Sequence, residues 1–395
     1  MTTPDANIAF VTPALITWAI KRSGLSYAQL KDKLRVNPDQ ILAWEHGKAY
    51  PPFDKAQELA KVLQVPFGYL FLSKIPADTG LPIKDFRTLG DSYKPSASFL
   101  ALLSDVQMKQ HWYRDYLKDE GEAPLKFVGK FSIRDTPRAV AADIRAVLHL
   151  SPALRKSAYS WQDYLRSLTR NADEARLLVM RSGVVGNNPH KRLSFREFQG
   201  FAISDAMAPV VFVNSDDFVA AQIFTLMHEI AHIWLGQSAI SNPDPSVIEA
   251  PIAKAPDVSK SRIEEFCNQV AVEVLVPRLE FTDEWKGKNC ETIVENLARY
   301  FWVSNIVVLR RAYELQKITK TQFLELLPQL RQKARPKQKV DVPGYYRKIA
   351  PRMSRRVTIA VLTDLNQGRI LYRDAAGLLS LGVPTLTKFA AMHRS

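Results

Sequence analysis

Two histidines four residues apart, inside a stretch that is apolar on every side, constrain this chain more than any other feature. The run His228-Glu229-Ile230-Ala231-His232 sits within Phe218–Leu235, which Asp216 and Asp217 precede and Gly236 ends, as helix boundaries require. On a helix, positions i and i+4 share a face with Cβ atoms about 6 Å apart, so both imidazoles can converge on one cation. Phe224, Leu226, Met227, Ile230, Ile233 and Leu235 surround the pair, which marks the helix as buried. Buried imidazoles need polar partners that apolar neighbours do not offer, so the pattern predicts a Zn²⁺ ion. Glu229 stands beside the pair, within reach of a water on such an ion.

A catalytic zinc takes three protein ligands and keeps one position open. The next helical pattern, Ser261–Val276, ends before Pro277 and carries two acidic candidates, Glu264 and Glu265. Glu264 and Asn268 are one turn apart and in line with Ala271 and Leu275, so the carboxylate lies on a partly buried stripe. Asn268 is then placed to hydrogen-bond a ligand from behind. Ser261-x-x-Glu264 also reads as a capping box, in which Glu264 bonds back to the backbone and Glu265 becomes the ligand. Cys267 shares a face with Ile263 and Val270 and reads as a small core residue.

The remaining chain reads as an α+β, mostly helical protein. Residues 12 to 73 form short helices: Thr12 and Pro13 open the first, Ser26 the second, and Asn37-Pro38 a third that Gly47 closes. The short connection between Leu34 and Asn37 suits a helix-turn-helix. Pro- and Gly-rich residues 73–96 form a linker. Helices are expected at Phe99–Lys118, Pro137–Leu148 and Trp161–Thr169, and strands at Arg176–Arg181, Phe201–Ser204 and Pro209–Asn214. The division that follows is 1–75, 76–130, 131–285, 286–332 and 333–395, the last beginning in a linker, Lys333–Pro343. With 46% hydrophobic residues the chain can fill ordinary globular cores, and no run reaches the roughly 18 apolar residues needed to cross a bilayer. Two cysteines and the absence of a secretory signal pattern suggest a reducing cytoplasm. Of the net charge of +14, residues 331–395 hold most, with 14 Lys+Arg against 3 Asp+Glu. Such a tail attracts nucleic acid or an acidic partner, or is simply a solvated face.

FTLMHEIAHIWLG followed by IEEFCNQVAVEVLVP resembles the ImmA/IrrE family of metallo-endopeptidases over roughly residues 136–315. The resemblance implies a gluzincin-like zinc peptidase domain with a small sheet, His228, His232 and Glu264 as ligands, and Glu229 as general base. Phe266 stands where relatives carry a second acidic residue, which leaves Glu264 and Glu265 both in play. The strand Pro209–Asn214 is expected to pair with an extended substrate. His190 and Tyr300 are the candidates for an oxyanion-stabilising group.

Residues 13–72 resemble the Cro/repressor-like helix-turn-helix family through Ile41-x-x-Trp44-Glu45-x-Gly47-Lys48-x-x-Pro51 and LAKVLQVPFGYLF. This implies contacts to double-stranded DNA from Asn37, Gln40 and Lys48. Tyr27 replaces the usual Gln and Asp39 sets a negative charge toward phosphate, so a protein partner is the other reading. Residues 292–311, with Arg310-Arg311, read either as a second helix-turn-helix or as a hairpin packed on the peptidase. YRDAAGLLSLGVPTLTKFA is a weaker third match; with Arg347, Arg352, Arg355 and Arg356 it could form a basic docking surface. The combined resemblances imply a regulator that cleaves a specific protein such as a repressor or antitoxin. The alternative is a DNA-binding regulator or antitoxin whose zinc is structural or sensory.

Overall fold

Helix caps organise the N-terminal residues. In the computed structural model, the described residues are 8–23, 25–63, 65, 67–72, 84–85, 95–186, 188, 191–243, 245, 258–287, 289–333 and 352–392. They fall into two compact units, one of residues 1–82 and 91–105, the other of 83–90 and 106–395. The first holds α1 (Pro13–Ser23), α2 (Tyr27–Leu34), α3 (Pro38–Glu45), α4 (Phe53–Leu63) and a 3₁₀ turn, Phe67–Phe71. Ser26 caps α2 in a reciprocal pair with Gln29, and Asn37 caps α3 in the same way with Gln40. Ile16, Leu30, Ile41 and Leu59 are fully buried where the helices meet.

In the second unit the strands are β1 (Lys84–Asp85), β2 (Leu178–Ser182), β3 (Gly200–Ile203), β4 (Val210–Asn214) and β5 (Ala239–Ser241). Their order is β1-β5-β3-β4-β2, with β3 antiparallel to both β4 and β5 and the outer pairs parallel. This corrects one expectation. β4 pairs β3 on one side and β2 on the other, so neither of its edges is open to a substrate strand. β5 itself lies in a segment whose composition reads as loop.

Around the sheet run α5 (Ala97–Asp119, begun in the first unit), α6 (Pro137–Val147), α7 (Pro152–Lys156), α8 (Trp161–Glu174), α9 (Val219–Trp234) and α10 (Val258–Leu275). After them come α11 (Arg278–Glu284), α12 (Cys290–Phe301), α13 (Asn305–Glu314), α14 (Lys320–Lys333), α15 (Arg355–Asn366), α16 (Tyr372–Leu378) and α17 (Val383–Met392). α9 packs on β3 and β4, and α10 packs on α9 and α6. Every side chain of α9 from Gln222 to Trp234 is buried. Trp234 stacks on Phe127 at 4.3 Å between ring centroids. Gly236 ends the helix in the left-handed conformation (φ 67°), and a Cβ there would meet the Gly129 backbone at 3.1 Å, so only glycine suits this turn.

Several described basic residues of the C-terminal half are engaged within this unit. Arg310 and Arg311, in the segment that reads either as a second helix-turn-helix or as a packed hairpin, are 1% and 5% exposed. Arg310 pairs with Glu265 (2.5 Å) and Glu314 (2.7 Å), and Arg311 with Glu273 and Glu314. α12 and α13 are therefore a hairpin packed into the core, as the other reading had it. Arg356 donates to the carbonyls of Asp173 and Glu174, while Arg355 is exposed. Arg347 lies outside the described residues.

Candidate metal centre

α9 presents its i, i+4 pair toward α10. His228 Nε2 and His232 Nε2 lie 3.1 Å apart. Glu264 completes a triangle, its Oε2 3.3 Å from His228 Nε2 and its Oε1 3.1 Å from His232 Nε2. Both imidazoles are fully buried, whereas the Glu264 side chain is 16% exposed. Among the described residues, these are the His, Cys, Asp and Glu side chains whose donor atoms cluster tightly enough to hold a metal ion.

The donor chemistry of this triangle requires a positive charge. Asn268 Oδ1 lies 3.0 Å from His228 Nδ1 and accepts its proton, which leaves His228 Nε2 as a bare acceptor. That acceptor faces a carboxylate oxygen and a second imidazole nitrogen at hydrogen-bond distance. A single proton serves part of the set, whereas a divalent cation serves all of it. Burial alone would raise the Glu264 carboxyl, but the two imidazoles outweigh it and hold it at about 2. Burial lowers His232 even against the pull of Glu264, which favours the neutral imidazole that metal binding needs.

Glu229 is fully buried next to this set, and neither of its oxygens has a hydrogen-bond partner. Burial, and then the Glu264 charge, push its carboxyl well above the usual range, with the Ser241 hydroxyl pulling weakly the other way without bonding it. Its place is made by an absence. A Cβ on Gly200 would fall 2.8 Å from Glu229 Oε1, 3.0 Å from its Cγ and 2.6 Å from Thr225 Cγ2. Ser241, at the end of β5, sits 3.4 Å from both His232 Nε2 and Glu264 Oε1. Neither Gly200 nor Ser241 emerges from the sequence pattern. A lone glycine opening a strand is the available cue for the first, and the second lies in a segment that reads as loop.

The rival readings separate cleanly in space. α10 begins at Val258, so Ser261 is inside the helix and the capping-box role for Glu264 is not realised. Glu265 turns away to Arg310 and Gln269. Cys267 is fully buried in the core, and burial pushes its thiol well up. Tyr300 donates to Glu280 at 3.0 Å, in an aromatic and arginine cluster, and takes no part in the triangle. His190 lies outside the described residues. Asn37, Gln40 and Lys48 are all exposed at the two ends of α3, and Gln40 is partly used in capping, its Oε1 accepting from Asn37 N–H at 3.3 Å. Tyr27 donates to Glu45 at 2.7 Å, which ties α2 to α3.

Residues 179–313 match the peptidase-family model described as the IrrE N-terminal-like domain, and residues 16–70 match that of a helix-turn-helix domain. The chain fuses a helix-turn-helix domain to an IrrE/ImmA-like domain. No curated protein matches it. The IrrE-like match begins in β2 and ends in α13, so it takes in β3, β4, β5, the candidate metal triangle and the Arg310–Glu265 pair, while β1 lies outside it. No helix among the described residues is long and apolar enough to cross a membrane.

Proposed function

We propose that the chain is a regulatory zinc-dependent endopeptidase that cleaves a specific protein, of repressor or antitoxin type, and couples this to DNA binding. The observation that carries the reading is the His228, His232 and Glu264 triangle with an unpartnered carboxylate, Glu229, buried beside it. The triangle's edges of 3.1 to 3.3 Å suit Zn²⁺, whose ligand atoms at about 2.0–2.1 Å in a tetrahedron are about 3.3 Å apart. Bound there, Zn²⁺ supplies a Lewis acid that activates water and polarises a scissile carbonyl.

The chain's own residues do the rest. His228, His232 and Glu264 hold the ion, and Asn268 fixes the His228 tautomer. Glu229 accepts the proton of the attacking water and returns it to the leaving amine. Burial raises its carboxyl above the usual range, which is the direction a proton-exchanging base needs. A purely structural site has no use for such a base. In the N-terminal unit, Asn37 and Gln40 at the start of α3, with Lys48 beyond its end, are the side chains offered to duplex DNA. Binding there should weaken steeply with salt.

Glu229→Gln tests the reading, because it keeps size and metal while removing the base. The variant is expected to hold its zinc, fold and DNA binding, and to lose cleavage of its partner by roughly 10²–10⁴-fold. If it matches the wild type in the cellular response while His228→Ala is inactive, the zinc is structural or sensory. The chain is then a DNA-binding regulator or antitoxin without proteolysis.

A further inference from the structure

Most arginines buried in the second unit have an acidic partner. Arg155 pairs with Glu280 and lies over the Tyr300 and Phe301 rings, and Arg310 and Arg311 share Glu265, Glu314 and Glu273. Three further arginines, Arg145 half-buried and Arg138 and Arg278 exposed, have none and meet at one place. A cavity of about 300 Å³ between α6 and the α10–α11 turn is lined by Arg138, Arg145 and Arg278, with Glu273, Pro277 and Leu279. Among the described residues none of these three guanidinium groups has an ion-pair or hydrogen-bond partner. Arg145 is half-buried, and burial works most strongly against its charge; Glu280 is the largest offset, with Arg155 opposing it and Tyr164 and Glu273 adding smaller support.

Three cations around one concavity repel one another, and partial burial adds a cost at Arg145. Glu273 relieves Arg145 only weakly. One of its oxygens is taken by Arg311 and the other accepts from the Arg278 backbone N–H. The cavity is at the small end of the range for ligand pockets, with room for one small molecule. Its rim offers apolar surface too, since Leu279 is 69% exposed beside Pro277.

We propose that this cavity binds a small organic phosphomonoester, its phosphate held by Arg138, Arg145 and Arg278 and its organic part set against Pro277 and Leu279. A phosphomonoester brings close to two negative charges and three acceptor oxygens at neutral pH, which suits three guanidinium forks better than a single carboxylate does. The site is separate from the metal triangle. Glu273 is nine residues beyond Glu264 on α10, or roughly 13 Å along the helix.

The test is calorimetric titration of the full-length, zinc-loaded chain with a nucleoside monophosphate, inorganic phosphate and citrate, at about 0.15 M salt. The nucleoside monophosphate should bind saturably, one per chain, and more tightly than inorganic phosphate, which lacks the organic part. Arg145→Met should weaken it at least tenfold without lowering Tm, since the guanidinium it removes has no partner. Arg138→Ala and Arg278→Ala, at exposed positions that do not threaten folding, should each weaken it several-fold. Arg134→Ala, at an exposed position outside the cavity lining, should leave it unchanged. The proposal is overturned if no saturable binding is seen below ~10 mM. It is also overturned if all three cavity variants bind as the wild type does, or if citrate binds as tightly as the phosphomonoester. None of these readouts depends on peptidase activity, so the inference and the proposed function stand or fall separately.

Discussion

Asn268 Oδ1 lies 3.0 Å from His228 Nδ1 and so joins α10 to α9 directly behind the metal-binding triangle. The contact sets which nitrogen of His228 faces the centre of the triangle, and it comes from the same helix face that carries Glu264, one turn earlier. Loss of a partner of this kind typically lowers metal affinity 10–100-fold. Asn268→Ala is accordingly expected to weaken zinc binding by that range in chelator competition, with the far-UV spectrum unchanged. Zinc affinity equal to wild type would remove Asn268 from the site.

The two adjacent glutamates should respond in opposite ways. Glu264→Gln should empty the metal site, read by elemental analysis, at little cost to the packing of α10. Glu265→Gln should keep the zinc but strip the nearly inaccessible Arg310 of one of its two carboxylates. Breaking such a pair is expected to cost roughly 3 kcal/mol, the low end for a buried pair because Glu314 still meets Arg310. Zinc lost from the Glu265 variant and retained by the Glu264 variant would reverse the assignment.

Gly200 is expected to act on Glu229 through space alone. Gly200→Ala puts a methyl group where Glu229 Oε1 and Thr225 Cγ2 now lie, at 2.8 and 2.6 Å. The strand should accept alanine, so the stability cost should stay within the roughly 1–3 kcal/mol usual for overpacking. Glu229 must move, and cleavage of the partner should fall more than tenfold while zinc content remains at one per chain. A fully active Gly200→Ala enzyme would show that Glu229 has room elsewhere.

Helical periodicity made the metal-binding triangle legible, because i, i+4 spacing puts His228 with His232 and Glu264 with Asn268 whatever the tertiary fold. It did not separate Glu264 from Glu265. That choice depends on where α10 starts, and its first turn emerges at Val258 from a segment rich in Pro, Ala and Lys that hides the boundary. Sheet order is a property of the whole fold, so nothing local in Pro209–Asn214 betrays that β2 covers one side of β4 and β3 the other. Arg310 and Arg311 leave two readings open for a related reason. Two adjacent arginines look solvent-facing in a helix pattern until the carboxylates of α10 arrive from some forty residues away. Gly200 was silent because its function lies in the side chain it lacks.

The two buried carboxylates of the site make the metal-free protein respond to pH in two separate windows. Glu229 has a folded pKa raised well above its unfolded value by burial and by the Glu264 charge. Its contribution is therefore full below the unfolded pKa of about 4.3 and is lost as pH rises through the folded value. Glu264 has the opposite sign. Held at about 2, it contributes stability above about 4.3 that disappears as pH falls toward 2. After chelation, stability should thus decline from mildly acidic toward neutral pH on account of Glu229, and collapse in strong acid on account of Glu264. Glu229→Gln cannot ionise and should raise the Tm of the chelated protein at pH 7.5 while changing little at pH 5, and zinc should shrink the difference by supplying the missing positive charge. Thermal melts of both proteins, with and without chelator, at the two pH values measure this directly. An equal shift in Tm at both pH values would mean that the substitution alters packing and that the Glu229 charge is not the cause.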